Sequence, residues 1–531
     1  MQPRTDTAPH GRPGAVFWIS LAVSAVFVGW GVAAPDTQMD AMSTALNAIT
    51  RNFGWLYLTV PLVLLVALLL LAFSRYGRIR LGADDERPEF RTHSWLAMIL
   101  SAVMGIGLVS YGVAEPISHF GTPPHHLAAP GTPEAAVVAL QYSYYDWGVH
   151  AWAVFAVFGL AIAYSTYRKR RGGLVSSLFT PLLGDRVNGP IGKSIDIFAV
   201  FATLFGTTTS LGLGALQIDN GLGRLLGTPS GTATQVVIIA VTTVLFTASA
   251  VSGLDRGIRF LSESNLVLAV ALFFFVLFTG ATAFVINLFL ESVGRYVNDF
   301  LAMSLRGPTF GDLAWMQGWT YFMMAWWIAW GAFVGVFLAR ISRGRTIRQF
   351  VLGVLGVPSL AFFAWFAVFG GSAIELDMRH GGHVAKATAA DINSAFFTLL
   401  DAFPLPALTS TVVILLAVLF FISGADANTF VLGMLTSRGS LRPRRPVLVV
   451  WGAVTGALAV ILLLAGGLEA LQQTVIVSSA PFILIIGGLL VSLWKDLKDD
   501  PAAVAPQVPA VPAARTEPVL MAETVKKGAR S

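Results

Sequence analysis

Apolar stretches separated by short polar loops run along the chain from Ala15 to Trp494. A helix needs about 20 apolar residues to cross the hydrocarbon core of a bilayer. About twelve stretches reach that length. They centre near Ala25, Leu64, Met104, Phe155, Thr207, Thr242, Phe274, Trp327, Phe362, Leu419, Ala457 and Ile485. The pattern predicts an all-α membrane protein with about twelve transmembrane helices. Two segments break it. Leu290–Leu305 alternates polar and apolar residues at helical spacing, as expected of a helix lying in the outer interface. From Asp499 the chain turns rich in Ala and Pro, which predicts a disordered tail. The expected division is a cytoplasmic N-terminus over 1–14, a membrane domain over 15–494 and a tail over 495–531.

The loops give an orientation. Arg75, Arg78 and Arg80 follow the second stretch, and Arg168, Lys169, Arg170 and Arg171 the fourth. Arg256 and Arg259 follow the sixth, Arg340, Arg343, Arg345 and Arg348 the eighth, Arg438, Arg442, Arg444 and Arg445 the tenth, and Lys495 and Lys498 the twelfth. The opposite loops are poor in Lys and Arg, and Pro116–Glu134 has neither. Excess positive charge marks the cytoplasmic side. Both termini are therefore expected in the cytoplasm, with the chain multi-pass in the plasma (inner) membrane. The first stretch, Ala15–Ala34, is of spanning length with no small-residue cleavage pattern after it, so no cleavable leader is expected.

Composition narrows the chemistry. Of the 531 residues, 55% are hydrophobic and 12% charged, where soluble domains carry about 25% charged residues. The mean hydropathy is +0.71. The absence of cysteine excludes disulfides, thiolate metal sites and cysteine nucleophiles. The net charge of +6 does not indicate nucleic acid, because the basic residues fall in short clusters between apolar runs.

Five segments could carry chemistry. In Ser101–Pro116, Gly105, Gly107 and Gly112 interrupt the third stretch. Such glycines are either packing notches or places where a spanning helix opens and its freed backbone lines a cavity. The fourth stretch carries Trp147, Trp152 and Phe155, flanked by Asp146 and His150. The histidine reads best as a structural hydrogen-bonding group, and the aspartate as a group at the outer interface. Thr203 and Thr207, four apart in the fifth, share a helix face. Their hydroxyls could bond back to their own helix or jointly hold a small hard cation. Phe420, Ser423 and Asp426 in the tenth could do either as well.

The eighth stretch is the most distinctive. Trp326, Trp327 and Trp330 lie within five positions, with Phe322 one turn earlier on the Trp326 face. They fall mid-stretch, which weakens the reading as an interfacial aromatic belt. Indole faces attract quaternary ammonium groups, each contact contributing about 0.5–2 kcal/mol. Such a cation has no N–H, so aromatic faces grip it better than hydrogen-bonding groups do. Gly331 and Gly335 would let a neighbouring helix pack closely behind these rings.

With these segments assembled, the chain resembles the betaine/carnitine/choline transporter family from about Phe17 to Trp494. The resemblance rests on Met104–Pro116, Phe205–Ile218, Ala325–Phe350, Ser74–Phe90 and the "DWGVHAW" segment. It implies a leucine-transporter-like architecture: two inverted five-helix repeats, about 95–290 and 314–494, with two extra N-terminal helices. It also implies a homotrimer. Position by position, it implies an aromatic box of Trp147, Trp152 and Phe155 completed by Trp326, Trp327 and Trp330, with Phe322 beside it. The substrate's polar end would meet the opened backbone at Met104, Gly105 and Gly107. One Na⁺ site is implied at Thr203, Thr207 and Phe333, and another at Ser101, Met104, Phe420, Ser423 and Gly424. The chain departs from the family pattern at Val103, at Phe155 (often tyrosine), at Gly331 and Ala332 (often Ser-Pro), and at Gly424, where many sodium-coupled relatives carry serine. Gly107 keeps the glycine typical of sodium-coupled betaine-type members, where choline-type members often carry an acidic residue.

The resemblance implies a secondary transporter, not an enzyme, that imports a small quaternary ammonium or zwitterionic osmolyte, glycine betaine first, with Na⁺ as coupling ion and no other cofactor. The readings left open are choline, carnitine or sulfonium osmolytes, proton coupling or sodium-independent exchange, and a membrane osmosensor or receptor that binds the same ligand.

Overall fold

The computed structural model of the chain describes residues 11–103, 105–252 and 255–504, leaving aside the side chains of 101–103, 255–263 and 504. Every regular element among them is helical. The helices that position the site are α1 (Ala15–Ala33), α2 (Pro35–Phe73), α3 (Thr92–Val103), α4 (Ile106–Tyr111), α5 (Ala114–Gly121), α6 (Pro133–Trp147), α7 (Val149–Ala163), α8 (Pro190–Leu226), α9 (Thr232–Ser252), α10 (Asp255–Thr279), α11 (Thr282–Asn298), α12 (Thr320–Ile341), α13 (Ile347–His380), α14 (Pro406–Thr436) and α15 (Arg445–Lys498).

Among the described residues, nine helices are long and apolar enough to cross a membrane, or ten if the bent pair α10 and α11 counts as one. The sequence pattern predicts about twelve, and the difference has two local causes. The third stretch is broken. Gly105 is extended (φ −129°, ψ 178°) between α3 and α4, so no single helix there reaches spanning length. The eleventh and twelfth stretches form one element, the 54-residue α15. Unbent, it would run about 80 Å, far beyond the ~30 Å core. It is interrupted at Gly466 and Gly467, the latter at φ +60°, a left-handed conformation that glycine adopts without strain. The two arms then return to the same side. Gly439, in the loop before α15, packs against Leu174, while Ser492 near its far end donates to the Leu178 carbonyl at 2.7 Å.

Leu290–Leu305 is largely helical, but α11 starts earlier, at Thr282, and ends at Asn298, and a short helix over Phe300–Ser304 follows the turn at Asp299. The chain bends by 108° between α10 and α11, and α11 lays Val285, Leu288, Ser292 and Tyr296 against the bundle. At the other end α15 continues to Lys498. Asp500 is nearly inaccessible and accepts hydrogen bonds from Tyr164 at 2.6 Å and from Arg168 at 2.7 Å. Burial alone would raise the Asp500 carboxyl, but these partners hold it below the usual carboxylate range. The tail beyond Val504 lies outside the described residues.

The basic loops interlock on one face. Arg168 bonds the Gly82 carbonyl at 3.1 Å and Asp84 at 2.7 Å, and the Leu81 N–H donates to the Arg345 carbonyl at 2.8 Å. Inside, α12 packs along α7 at close range. A Cβ on Gly335 would stand 2.5 Å from the Phe158 Cβ and 3.0 Å from the Gly159 nitrogen, and one on Gly331 would meet the Phe158 ring at 2.6 Å. These two glycines let the tryptophan helix approach, as their place in the sequence suggests.

Candidate functional site

The rings of the fourth and eighth stretches meet at the centre of the bundle. α6 ends at Trp147, and Gly148 (φ −89°, ψ −140°) breaks the helix before α7 carries Trp152 and Phe155. From α12, Trp327 stands edge-to-face with Trp147 at 4.8 Å and with Phe155 at 5.9 Å. Trp326 is perpendicular to Trp147 at 6.2 Å and Trp330 perpendicular to Trp326 at 6.5 Å. These six rings surround a cavity of about 50 Å³ that is also lined by Gly105, Ile106, Gly107, Leu108, Ser210, Val334 and Phe362.

The indole N–H groups explain which part of each ring faces inward. Trp147 donates to Glu115 Oε2 at 2.7 Å, Trp327 to the Asp146 carbonyl at 2.7 Å and Trp326 to Ser210 Oγ at 3.2 Å. With these polar edges bonded to the surrounding helices, the cavity receives ring surface. The Nε1 atoms of Trp152 and Trp330 are buried without a partner. Gly107 has a geometric role. A Cβ there would meet Trp147 Cη2 at 2.6 Å and Trp326 Cη2 at 3.0 Å, so the opened third stretch can approach the rings only without a side chain. An enclosure of indole faces with few hydrogen-bonding groups suits a diffuse cation lacking N–H.

A second cavity, of about 760 Å³, shares Gly105, Ile106, Ser210, Trp330 and Val334 with the first. It widens to Arg340, Arg442 and Arg445 on the basic face. Thr207, Phe333, Phe420, Ser423 and Gly424 line it. The Thr207 hydroxyl donates to the Thr203 carbonyl at 2.7 Å, and that of Ser423 to the Leu419 carbonyl at 2.9 Å. Both therefore bond back to their own helices while their oxygens keep lone pairs. Thr203 Oγ1 is buried without a partner. A Cβ on Gly424 would be 3.9 Å from Trp330, an ordinary contact. Asp426 accepts from Ser249 at 2.7 Å at this cavity's wall.

The opposite side is shut. Tyr111 lies 6.2 Å from Trp147 and 6.2 Å from Trp319, Phe366 packs on Trp147 at 5.2 Å, and the Trp365 N–H donates to the Leu108 carbonyl at 3.1 Å.

The structure places the expected residues unequally. Trp147, Trp152, Phe155, Trp326, Trp327, Trp330, Gly105 and Gly107 line one cavity. Phe322 stacks on Trp326 at 5.6 Å and is not part of the lining. Met104 and the Ser101 side chain lie outside the described residues. Asp146 is fully buried behind the rings, where the sequence suggests an interfacial position. His150 is structural as expected, 2.9 Å from the Ser304 hydroxyl. Phe362, Ser210 and Glu115 are unforeseen. Glu115 had one usable signal, a carboxylate inside an apolar stretch.

Known proteins resemble this chain in sequence along most of its length. A model of the "BCCT, betaine/carnitine/choline family transporter" group matches residues 15–502. The chain belongs to the betaine/carnitine/choline transporter family. Within that family it is 46% identical to the glycine betaine transporter OpuD of Bacillus subtilis over 492 residues, 92% of this chain and 94% of the relative. It is 44% identical to a probable glycine betaine transporter of Desulfitobacterium hafniense, over 92% of this chain and 98% of the relative. With the high-affinity choline transport protein of Escherichia coli it shares 37% identity, over 91% of this chain and 72% of the relative. The chain is thus a multi-pass membrane protein of a family of transporters, not of enzymes.

Proposed function

We propose that the protein imports a small quaternary ammonium osmolyte, glycine betaine first, by Na⁺ symport. The observation that carries this reading is a tryptophan enclosure open on the basic side and closed on the other. The onium group would lie among Trp147, Trp152, Phe155, Trp326, Trp327 and Trp330, and the carboxylate against the opened backbone near Gly105 and Gly107. Na⁺ would bind at Thr203, Thr207 and Phe333, and at a second position shared by Ser101, Met104, Phe420, Ser423 and Gly424. The names of the two most similar relatives above support betaine over choline. So does Gly107, whose surroundings leave no room for an acidic side chain.

The reading includes twelve spans. The broken third stretch counts as one and the two arms of α15 as two, arranged as inverted five-helix repeats after two extra helices. It also includes a homotrimer in the inner membrane with both termini cytoplasmic, the basic face being the cytoplasmic one. Transport is by alternating access around the central site.

Uptake of radiolabelled glycine betaine and choline by proteoliposomes, with and without an inward Na⁺ gradient, tests it. Accumulation of betaine above its outside concentration only with the gradient supports symport. Equal exchange without Na⁺ favours an antiporter. Tryptophan quenching by betaine without uptake favours a receptor.

A further inference from the structure

Behind Trp147, on the side away from the open cavity, three ionisable side chains converge. Glu115 and His119 project from successive turns of α5, and Asp146 from the last turn of α6. One ligand atom from each lies within 4.8 Å of the others. His119 Nε2 is 3.7 Å from Glu115 Oε1. All three residues are 0% exposed. Glu115 Oε2 is occupied by the Trp147 N–H. Among the described residues Glu115 Oε1, both Asp146 oxygens and both His119 nitrogens make no hydrogen bond of good geometry, although the Thr320 hydroxyl lies beside Asp146 and that of Ser143 beside Glu115. The other polar groups beside them are neutral, the hydroxyls of Ser143 and Thr320 and the phenols of Tyr111 and Tyr145. Among the described residues His119 is the one basic group paired with either carboxylate.

Two ionised carboxylates removed from water call for a compensating positive charge, the alternative being that they take up protons. An imidazole nitrogen in the set favours a first-row transition metal over Na⁺, Mg²⁺ or Ca²⁺, which prefer oxygen alone. Zinc binds His nitrogen and carboxylate oxygen at about 2.0–2.2 Å, which sets tetrahedral ligands about 3.3 Å apart. The Glu115–His119 separation is already close to that, and Asp146 needs only a side-chain adjustment. Two carboxylates and a neutral imidazole also balance a divalent ion. Rings in edge-on and tilted contact fill the way from the cluster to His125, so an ion enters only when they part. His119 packs on Trp319 at 4.7 Å and Trp315 at 5.3 Å, and Trp315 on His125 at 5.2 Å. Burial lowers the His125 imidazole below its usual range, which keeps it neutral, and His125 and His126 approach Asp312 at 3.4 Å and 3.3 Å.

We propose that Glu115, His119 and Asp146 bind a divalent cation of the zinc class, admitted from the outer side. The ion joins α5 to α6 across the closed half of the site and so holds that half shut. Its effect on uptake rests on the transport reading, whereas its binding does not.

The test uses the purified full chain with zinc as probe. Metal analysis after dialysis and calorimetric titration should give one zinc per folded chain in the wild type. Binding should weaken at least tenfold in His119→Ala and in Asp146→Asn and persist in His126→Ala, which removes only the surface ligand. In proteoliposomes, micromolar zinc outside should cut betaine uptake at least fivefold in the wild type and leave His119→Ala unaffected. Absence of zinc from the folded wild-type chain, as when the carboxylates carry protons instead, overturns the proposal. So does zinc binding that survives both His119→Ala and Asp146→Asn. The metal measurements need no transport, so their failure is distinct from failure of the betaine reading.

Discussion

The two sides of the tryptophan enclosure are built from different materials. Toward the basic face the wall is thin, and beyond it lie hydroxyls, a carboxylate and arginines around about 760 Å³ of open space. Toward the opposite face lie Tyr111, Trp319, Phe366 and Trp365, ring upon ring, with Glu115, His119 and Asp146 enclosed among them. The contrast defines a conformation open to one side. It also separates two tasks. Aromatic packing closes, because stacked rings exclude water over a large area. A wide cavity with hydroxyls, a carboxylate and arginines set among apolar walls releases, because these groups offer an ion or zwitterion alternatives to the site it leaves.

The comparison breaks most readily at Gly107, which lies on neither side and lets the third stretch reach the rings. Gly107→Ala inserts a methyl group 2.6 Å from Trp147. Overpacking of about 2–3 kcal/mol predicts betaine binding weaker by roughly 30- to 150-fold. Tryptophan fluorescence titration measures it, and wild-type affinity in this variant would remove the cavity from the argument. A smaller loss is expected when one ring is removed. Trp327→Leu or Trp330→Leu should weaken betaine about tenfold, one cation–π partner being worth about 1–2 kcal/mol when desolvated. Normal titrations in both variants would mean that the rings serve packing alone.

On the open side the effects concern the ion. Thr203→Ala with Thr207→Ala should raise the Na⁺ concentration for half-maximal uptake about fivefold. Gly424→Ser should lower it by a similar factor, a net hydroxyl ligand contributing about 1 kcal/mol. The space beside Trp330 accepts that serine. Uptake against Na⁺ concentration gives both values, and two unchanged curves would return these residues to helix packing. The smallest effect on binding is expected at the face itself. Asp500→Asn should leave betaine affinity within about twofold and expose the segment after Lys498 to carboxypeptidase. The folded Asp500 carboxyl is held below its usual range. Its contribution is therefore complete above the unfolded value of about 4 and fades as pH falls through the folded one. In the wild type, acid should release the segment as the substitution does; release at equal rates at all pH values would argue against the pair.

What could be read from the sequence follows from how rare each signal is. Three tryptophans at helical spacing and glycines within an apolar stretch are uncommon, and both mark the observed cavity. Phe362 and Ser210 carry no such mark, being common residues in ordinary stretches that join the lining only through the packing of α13 and α8. Gly466 and Gly467 were visible in the sequence, but length alone could not tell a bend within one helix from a loop between two. Asp146 stands near the start of an apolar stretch, which suggests an interfacial place, but α6 is buried along nearly its whole length and encloses it in the protein.

Trp330 belongs to both cavities, and among the described residues its buried N–H has no hydrogen-bond partner. Of the residues the two cavities share it carries the one ring, and a ring can turn about two bonds without unpacking a helix. The ring assembly on the other face has no such single hinge, since Tyr111 alone touches Trp147, Trp319, Phe322 and Trp326. The two doors of the enclosure therefore differ in kind, a latch on one side and a barricade on the other. Opening the barricade requires several rings to part together.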